Sequence, residues 1–214
     1  MRVPIAKDGY SIIALFFLPP LVALGLGWGW LFWVGLGLAL FVVWFFRDPE
    51  RSVPQDPRSV VSPADGKVIK VEEVEDRRFT GRRARLISIF MSLFDVHVNR
   101  APATGRVKKI IYNPGKFVSA NLDKASEENE HNALVVEAEG GQLFAVCQIA
   151  GLVARRIVCT VNEGSQIEKG QRIGMIKFGS RLDVYLPPDT EVVVRVGDRV
   201  KAGESILARW GKER

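Results

Sequence analysis

Gly179 and Ser180 lie side by side in a stretch, residues 176–187, whose other residues favour a β-strand. Glycine weakens a strand interior and marks a bulge or a close approach, and it adopts backbone angles that a side chain forbids. The Ser180 hydroxyl could therefore attack the carbonyl of Gly179 and convert the peptide bond into an ester. β-Elimination of that ester would cut the chain and leave first a dehydroalanine and then a pyruvoyl group. A pyruvoyl carbonyl forms a Schiff base with an amine and accepts electrons as pyridoxal phosphate does. An ordinary turn or bulge is the alternative.

Another set of polar residues could supply the base that such an elimination needs. In residues 88–100, strand alternation puts Asp95, His97 and Asn99 on one face, among apolar neighbours. Histidine titrates near neutral pH without much tuning, which suits a general base. A structural histidine is the alternative for His97, and an ordinary turn aspartate is the alternative for Asp65.

Several segments together resemble one known family. Residues 178–181 read Phe-Gly-Ser-Arg, and the further segments are residues 45–51, 62–68, 94–102, 128–132 and 183–187. In their order along the chain they resemble the motifs of the short branch of the phosphatidylserine decarboxylases. The resemblance implies a proenzyme that cuts itself between Gly179 and Ser180 into chains 1–179 and 180–214, which stay together as a heterodimer.

The same resemblance implies a chemistry and roles for individual residues. Ser180 matches the precursor of a covalent pyruvoyl cofactor that forms the Schiff base, and no external cofactor is needed. His97 matches a site histidine, and Asp65 matches the aspartate that relays charge to a histidine. The expected reaction converts phosphatidylserine to phosphatidylethanolamine and CO2.

The sequence departs from the family pattern at two positions. Arg100 stands where many longer members have a second histidine, so His97 would have to serve both maturation and turnover. His131 stands where the related motif usually has arginine, and it could be a solvated loop residue, a phosphate ligand or a substitute proton donor. We expect His131 to make a loop contact near the lipid headgroup, with Asn132 and Arg100 as further substrate contacts.

The N-terminal region predicts a membrane anchor. Residues 11–46 contain no charged residue, which is too long for one span of ~20 residues and a little short for two. Pro19, Pro20 and the glycines at 25–29 break this segment, so we expect a helical hairpin over 12–26 and 30–46. Tryptophans suited to the membrane interface occur at Trp28, Trp30, Trp33 and Trp44.

The anchor is expected to stay attached and to hold the remaining chain in the cytoplasm. A cleavable signal peptide is the alternative, but its apolar core would be shorter, and no Ala-x-Ala site closes this one. Basic residues flank both ends of the hairpin, with Arg2 and Lys7 before it and Arg47 and Arg51 after it. Both ends should therefore be cytoplasmic, which predicts a cell-membrane protein.

The rest of the chain predicts a mostly β fold. We divide the chain into an anchor (1–47), a linker (48–58) and a catalytic β domain (59–214). Short β-type runs punctuated by Gly or Pro favour a sandwich or barrel. They are residues 67–74, 85–90, 106–112, 133–139, 143–148, 155–161, 172–177, 182–186, 191–196 and 205–210.

Internal repeats refine the expected fold. Residues 164–171 resemble residues 197–204, and both look like the hairpins of biotinyl and lipoyl domains. We therefore expect a barrel-sandwich-like core of short antiparallel strands after the helical hairpin. Residues 115–132 are polar and non-periodic, which indicates a loop with at most one helical turn.

Charge and cysteine content restrict the class of partner. The net charge is +6, and two arginine clusters stand out, at residues 77–85 and 155–156. They lack the aromatic interleaving of nucleic-acid modules, so an anionic lipid surface is the simpler partner, at ~1 kcal/mol per basic residue. Cys147 and Cys159 are expected to be buried and free, and no metal site is predicted.

Two other functions stay open at this point. Archaetidylserine carries the same serine headgroup as phosphatidylserine, so sequence cannot separate these two substrates. A membrane-anchored adaptor with a biotinyl/lipoyl-like core and no enzymatic activity is the other possibility, although Lys177 is a poor match to a carrier lysine.

Overall fold

The computed structural model describes residues 4–116, 128–151, 157–177 and 179–211. The chain divides into two compact units, residues 1–50 and residues 51–214. Some features named above lie outside the described residues: most of the 115–132 segment, the Arg155–Arg156 pair, and Phe178 of the Phe-Gly-Ser-Arg motif.

The first unit consists of apolar helices. A 3-10 turn at Lys7–Gly9 leads into α1 (Tyr10–Gly25), and α2 (Gly29–Phe45) follows a short turn. The helices are apolar on every side, and Trp30 is 71% exposed, which suits lipid better than water. By length and composition the stretch Lys7–Gly25 could cross a membrane, whereas α2 is apolar but shorter. The predicted hairpin bounds agree with these helices within two residues.

Pro19 and Pro20 lie inside α1 and do not interrupt it, so the expectation that they break the apolar segment is wrong. The fixed φ of proline fits a helix, and its cost is a lost backbone hydrogen bond that membrane helices tolerate when a neighbour packs beside them. Here α2 is that neighbour. A Cβ placed on Gly35 would lie 3.1 Å from Pro20 Cδ, so the missing side chain allows the close contact.

The second unit is built from antiparallel strands. They are, in chain order, β1 (Ser59–Val61), β2 (Gly66–Asp76), β3 (Arg82–Met91), β4 (Val98–Arg100), β5 (Gly105–Asn113), β6 (His131–Ala138), β7 (Leu143–Ala150), β8 (Ile157–Cys159), β9 (Gln166–Ile167), β10 (Arg172–Ile176), β11 (Ser180–Leu186), β12 (Glu191–Val192), β13 (Arg199–Val200) and β14 (Ile206–Arg209).

Within the described ranges these strands form one large sheet and two small ones. The large sheet has the order β13-β2-β3-β11-β7-β6-β5-β9 and curls into a half-barrel. The small sheets have the orders β1-β14-β12 and β4-β10-β8. The fold class predicted from sequence, mostly β with an apolar helical N-terminus, is confirmed.

Both faces of the large sheet are buried around β11. The face that carries Leu182 and Val184 packs into the main hydrophobic cluster, and we call it the core face. The opposite face carries Tyr185, with Ala145 and Cys147 from β7, in a smaller cluster; we call it the back face. Successive side chains of a strand point to opposite faces, so neighbouring residues of β11 enter different environments.

Residues 51–58 belong to the second unit. Arg51 is ion-paired with Asp65, and the Lys169 ammonium donates to the carbonyl of Asp56 at 2.6 Å. The division between the units, after Glu50, falls inside the predicted linker. Residues 51–58 of that linker belong to the β unit.

Candidate active site

Gly179 and Ser180 lie at the start of the central strand of the large sheet. Ser180 is the first residue of β11 and pairs with Met91 of β3 on one side and Ala150 of β7 on the other. It is fully buried. Gly179 has φ +65°, in the left-handed region that favours glycine. A Cβ there would meet no atom within 4 Å, so the backbone angle, and not lack of space, calls for glycine.

The Ser180 hydroxyl rests on a weak acceptor. Its Oγ donates to the thioether sulfur of Met91 at 3.4 Å. A thioether accepts hydrogen bonds poorly, so little hydrogen-bond energy is lost when the hydroxyl turns towards another partner. A buried serine held in this way fits a nucleophile that must leave its resting position.

His97 lies beside Gly179, the residue whose carbonyl carbon the Ser180 hydroxyl would attack. Its Nδ1 lies 2.9 Å from the backbone carbonyl of Asp95, and the Gly179 N–H donates to Nε2 at 3.3 Å. A carbonyl can only accept and an N–H can only donate, so these contacts fix the neutral tautomer with the proton on Nδ1. The imidazole therefore directs the Nε2 lone pair at the Gly179 nitrogen. That nitrogen is two covalent bonds from the carbonyl carbon of Gly179. His97 is fully buried.

Asp65 lies between β1 and β2 and is engaged by other groups. Arg51 Nη2 contacts both of its carboxylate oxygens, at 2.8 and 2.9 Å, and the Ala202 N–H donates to it at 2.7 Å. The contact that orients His97 at Nδ1 is a backbone carbonyl. The predicted role of Asp65 as the partner of His97 therefore stays a prediction, and clamping Arg51 to the 202–204 turn is a second role for it.

The segment before β4 is less regular than strand alternation predicts. Asp95 does not share a face with Asn99: its carboxylate accepts from the backbone N–H of Ser92 at 2.8 Å and from the Ser92 hydroxyl at 2.7 Å. Aspartate commonly closes such a turn by bonding nearby backbone. Its backbone carbonyl, and not its carboxylate, reaches His97.

Arg100 and the 131–132 pair were predicted to contact substrate. Arg100 is buried at the end of β4 and donates to the carbonyl of Gly170 at 3.0 Å. His131 is the first residue of β6 and is buried, so the expectation that it is a loop residue is wrong. Its Nδ1 lies 2.9 Å from the carbonyl of Asn129.

The sheet register separates His131 from Ser180. His131 pairs with Ile149, which in turn pairs with Arg181, so these side chains share the back face. Ser180 points to the core face. Asn132, next to His131, also points to the core face and donates to Gln148 at 3.1 Å. Only long-range pairing reveals this division, because the sequence places His131 and Asn132 in one motif.

Two residues near Ser180 were missed by the sequence reasoning. Met91 and Gln148 read as ordinary strand residues, and they reach the site because β3 and β7 flank β11. Gln148 Nε2 donates to Asn99 Oδ1 at 2.8 Å. A glutamine within the apolar run 143–150 was the signal available in the sequence, since glutamine is mostly exposed.

The back face holds a buried ion pair directly after Ser180. The Arg181 guanidinium contacts both carboxylate oxygens of Asp183, at 2.6 and 2.9 Å, and donates to the Ser88 hydroxyl at 3.0 Å. Burial raises the pKa of the neighbouring Cys147 thiol, and the Asp183 carboxylate raises it further. Cys147 is therefore a protonated, inert thiol.

The arginine cluster at residues 77–85 is partly neutralised. The β2–β3 register places Glu73 opposite Arg85 and Glu75 opposite Arg83, and both pairs form ion pairs at 2.7 Å. Arg78 donates to the Tyr185 hydroxyl. The positive surface expected from the linear sequence is thus weakened by cross-strand pairing. Within the described ranges, acidic, histidine and cysteine side chains form no cluster suited to a metal ion.

Comparison with known proteins gives similarity along nearly the whole chain. A family model described as phosphatidylserine decarboxylase matches residues 38–208. A phosphatidylserine decarboxylase proenzyme of Syntrophus aciditrophicus is 50% identical over 207 residues, which cover 96% of this chain and 97% of the relative. One of Magnetococcus marinus is 47% identical over 214 residues, with coverage of 98% and 97%.

Proposed function

The chain belongs to the phosphatidylserine decarboxylase family, and we propose that it becomes active by cutting itself between Gly179 and Ser180. As a member of that family it is a carboxy-lyase that converts phosphatidylserine to phosphatidylethanolamine and CO2. Membership removes the alternative of a non-enzymatic adaptor. Both relatives are described as proenzymes, which implies processing into chains. The observation that carries the proposal is His97 Nε2, 3.3 Å from the Gly179 nitrogen.

The first step transfers the acyl group of Gly179 from the backbone nitrogen of Ser180 to the Ser180 Oγ. The Ser180 hydroxyl leaves Met91, His97 Nε2 takes its proton, and Oγ bonds to the carbonyl carbon of Gly179. The C–N bond then breaks, and the proton passes to the released amine, so that an ester replaces the amide. A positioned nucleophile and base of this kind are the requirements for nucleophilic catalysis.

The second step cuts the chain. A base removes the Cα proton of Ser180, the Cβ–Oγ bond breaks, and Gly179 leaves with a new carboxylate. Water then hydrolyses the resulting dehydroalanine with loss of ammonia. A pyruvoyl group remains at residue 180. We assign His97 as the base in this step too, because its Nε2 lies beside Gly179.

The residues around Ser180 fit a pyruvoyl group formed in this place. When present, that group supplies a carbonyl that binds the serine amine and accepts the electrons released with CO2. Burial of Ser180 and His97 keeps the reacting groups away from bulk water, and β3 and β7 hold β11 from both sides. We assign His97, or a water it positions, as the donor that returns the proton to Cα of the substrate.

The two product chains should stay together. Residues 180–214 contribute β11 and β13 to the large sheet, and β12 and β14 to a small sheet with β1. Cutting one peptide bond leaves those strand pairs in place. We therefore propose a stable heterodimer of chains 1–179 and 180–214.

We expect the mature protein to consist of those two chains, with a blocked N-terminus on the smaller one. Intact mass spectrometry and N-terminal sequencing measure this directly. A free serine amine at residue 180 would contradict the pyruvoyl assignment, and an uncut active chain would contradict self-cleavage. Release of CO2 from phosphatidylserine and from archaetidylserine, measured side by side, decides between the two serine headgroup lipids.

We further propose that the first unit anchors the enzyme with the β unit on the cytoplasmic side of the cell membrane. The apolar stretch Lys7–Gly25 supports membrane association, and basic residues flank the hairpin on both ends. Arg47, two residues after the end of α2, stacks on the Trp44 ring at 3.8 Å, which suits the membrane interface. The proposal rests on the apolar helices and not on the arginine cluster at residues 77–85, because ion pairs reduce the positive charge of that cluster.

Deleting residues 1–47 should give a soluble protein that still cuts itself, because residues 51–214 contain their own hydrophobic core. Activity on phosphatidylserine in bilayers should fall more than activity on a dispersed short-chain analogue. Fusing residues 48–214 to an unrelated apolar hairpin is the control, and it should restore the bilayer activity. Equal losses on both substrates would show that the helices support the fold instead.

A further inference from the structure

Three buried side-chain amides form a hydrogen-bonded chain that ends beside Ser180. Asn132 Nδ2 donates to Gln148 Oε1 at 3.1 Å, and Gln148 Nε2 donates to Asn99 Oδ1 at 2.8 Å. Asn99 Nδ2 faces the Met91 sulfur at 3.8 Å, the same atom that accepts from Ser180 Oγ at 3.4 Å. The amide chain and the proposed nucleophile therefore meet at one sulfur atom.

The chemistry of that sulfur fixes the direction of the amide chain. A thioether has no proton to donate, so the NH2 group of Asn99, and not its carbonyl, faces Met91. That orientation makes the Asn99 carbonyl the acceptor for Gln148, whose own carbonyl accepts from Asn132. Each amide thus points its donor towards Ser180, and hydrogen bonds in such a chain strengthen one another.

The fold makes room for these amides although burying them is costly. Asn99 and Gln148 are fully buried, and removing an amide from water costs free energy unless it is well hydrogen-bonded. A Cβ on Gly174 would lie 2.1 Å from the Val158 carbonyl oxygen and 3.0 Å from Gln148 Nε2, so the glycine leaves space for the paired strand and for the amide chain. The last donor of this chain, Asn99 Nδ2, faces a weak acceptor, so little hydrogen-bond energy is lost when it turns to a stronger one.

We propose that Asn99 donates a hydrogen bond to the Gly179 carbonyl oxygen as negative charge develops there during self-cleavage, and that Gln148 and Asn132 position Asn99. The inference rests on the self-cleavage proposed above. When Ser180 Oγ bonds to the carbonyl carbon, the π electron pair moves onto the carbonyl oxygen and the hydroxyl proton goes to His97. Collapse of this state breaks the C–N bond and returns the electron pair, so no outside reactant is needed.

Asn99→Ala and Asn99→Ser form a matched pair that tests the donor in the full-length chain. The two side chains differ by one hydroxyl. Loss of one oxyanion donor costs about 10²- to 10³-fold, so Asn99→Ala should process that much more slowly than wild type. The processing rate of Asn99→Ser should lie between that of wild type and that of Asn99→Ala. Processing is followed by denaturing electrophoresis of freshly synthesised precursor, and wild-type processing of Asn99→Ala would overturn the proposal.

Gln148→Glu tests the positioning role without touching Asn99. A carboxylate at position 148 cannot donate to the Asn99 carbonyl, so Asn99 should rotate and present its oxygen to the site. We expect processing to slow far more than turnover per carbonyl does in the fraction that has matured, counted by hydrazine labelling. A purely structural role would lower the unfolding temperature and both rates together. If the position-99 variants fail to fold, wild-type processing of Gln148→Glu alone overturns the proposal.

Thr190→Val is the control for disturbing a buried polar group. Thr190 is buried beyond the far end of β11, and its hydroxyl has no hydrogen-bond partner among the described residues. Thr190→Val should cut itself at the wild-type rate. The outcomes also separate this inference from the proposed function. An uncut wild-type chain contradicts self-cleavage itself, whereas a cut wild type with an equally fast Asn99→Ala contradicts only the role of Asn99.

Discussion

Ser180→Ala should remain one full-length chain with no decarboxylase activity. The substitution removes the attacking oxygen, so neither the ester nor the pyruvoyl group can form. Denaturing electrophoresis should show only the uncut chain after days of incubation, and hydrazine should label no carbonyl at residue 180. Among the described residues the Ser180 hydroxyl bonds only a thioether sulfur, so the unfolding temperature should stay close to that of wild type.

Ser180→Cys is the matched control for this prediction. It keeps a nucleophile of similar size, and a thiol can attack the same carbonyl to give a thioester. We expect slow but detectable cleavage at the same bond. Cleavage of Ser180→Ala at residue 179 would contradict self-cleavage by the hydroxyl and would indicate a separate protease.

The sequence predicted the strand positions well because local patterns determine them. Each predicted β run has a counterpart among the described strands, and Gly or Pro marks most of the turns between them. Sequence alone missed some short pairings, such as β1 with β14. Two- or three-residue strands carry too little alternation to be seen, and they form because distant segments meet.

The site was predicted only in part, because register decides which side chains share a face. Motif resemblance selected Ser180 and His97, and the structure brings them together across Gly179. No motif predicted that His131 points to the back face while Asn132 points to the core face. Neither could a single sequence show that Asp95 orients His97 through its backbone carbonyl.

The back face explains how the end of β11 can stay in place after cleavage. A new chain terminus at residue 180 loses its covalent link to Gly179 and would otherwise fray. Arg181 is bound to Asp183 and to the Ser88 hydroxyl in a buried environment. Breaking such a pair leaves an uncompensated buried charge and costs about 3–5 kcal/mol. The strand end is thus fixed one residue from the reactive group.

Arg51 and Asp65 offer a way to decide what the aspartate does. If Asp65 orients His97, Asp65→Asn should slow self-cleavage and Arg51→Gln should do so much less. If Asp65 instead clamps Arg51 to the 202–204 turn, the two variants should behave alike and lower stability together. The existing contacts, Arg51 at 2.8 Å and the Ala202 N–H at 2.7 Å, favour the clamp.

His97→Ala should accumulate uncut precursor, and any enzyme that matures should turn over poorly. Loss of a positioned acid–base group costs about 10²–10⁴-fold, so residual cleavage over hours agrees with the prediction. The contact between Nε2 and the Gly179 N–H supports the proposed role of the imidazole in maturation. Its burial beside Gly179 and Ser180 supports the second proposed role, the return of a proton to the substrate.

Turnover per carbonyl separates these two duties of His97. Counting carbonyls by hydrazine labelling keeps unprocessed protein out of the rate, so slow maturation cannot imitate slow catalysis. Rapid, wild-type processing of His97→Ala would contradict its role as the maturation base. Wild-type turnover per carbonyl would confine His97 to maturation. The proton donor would then be bound water, since His131 lies on the back face and Ser180 points to the core face.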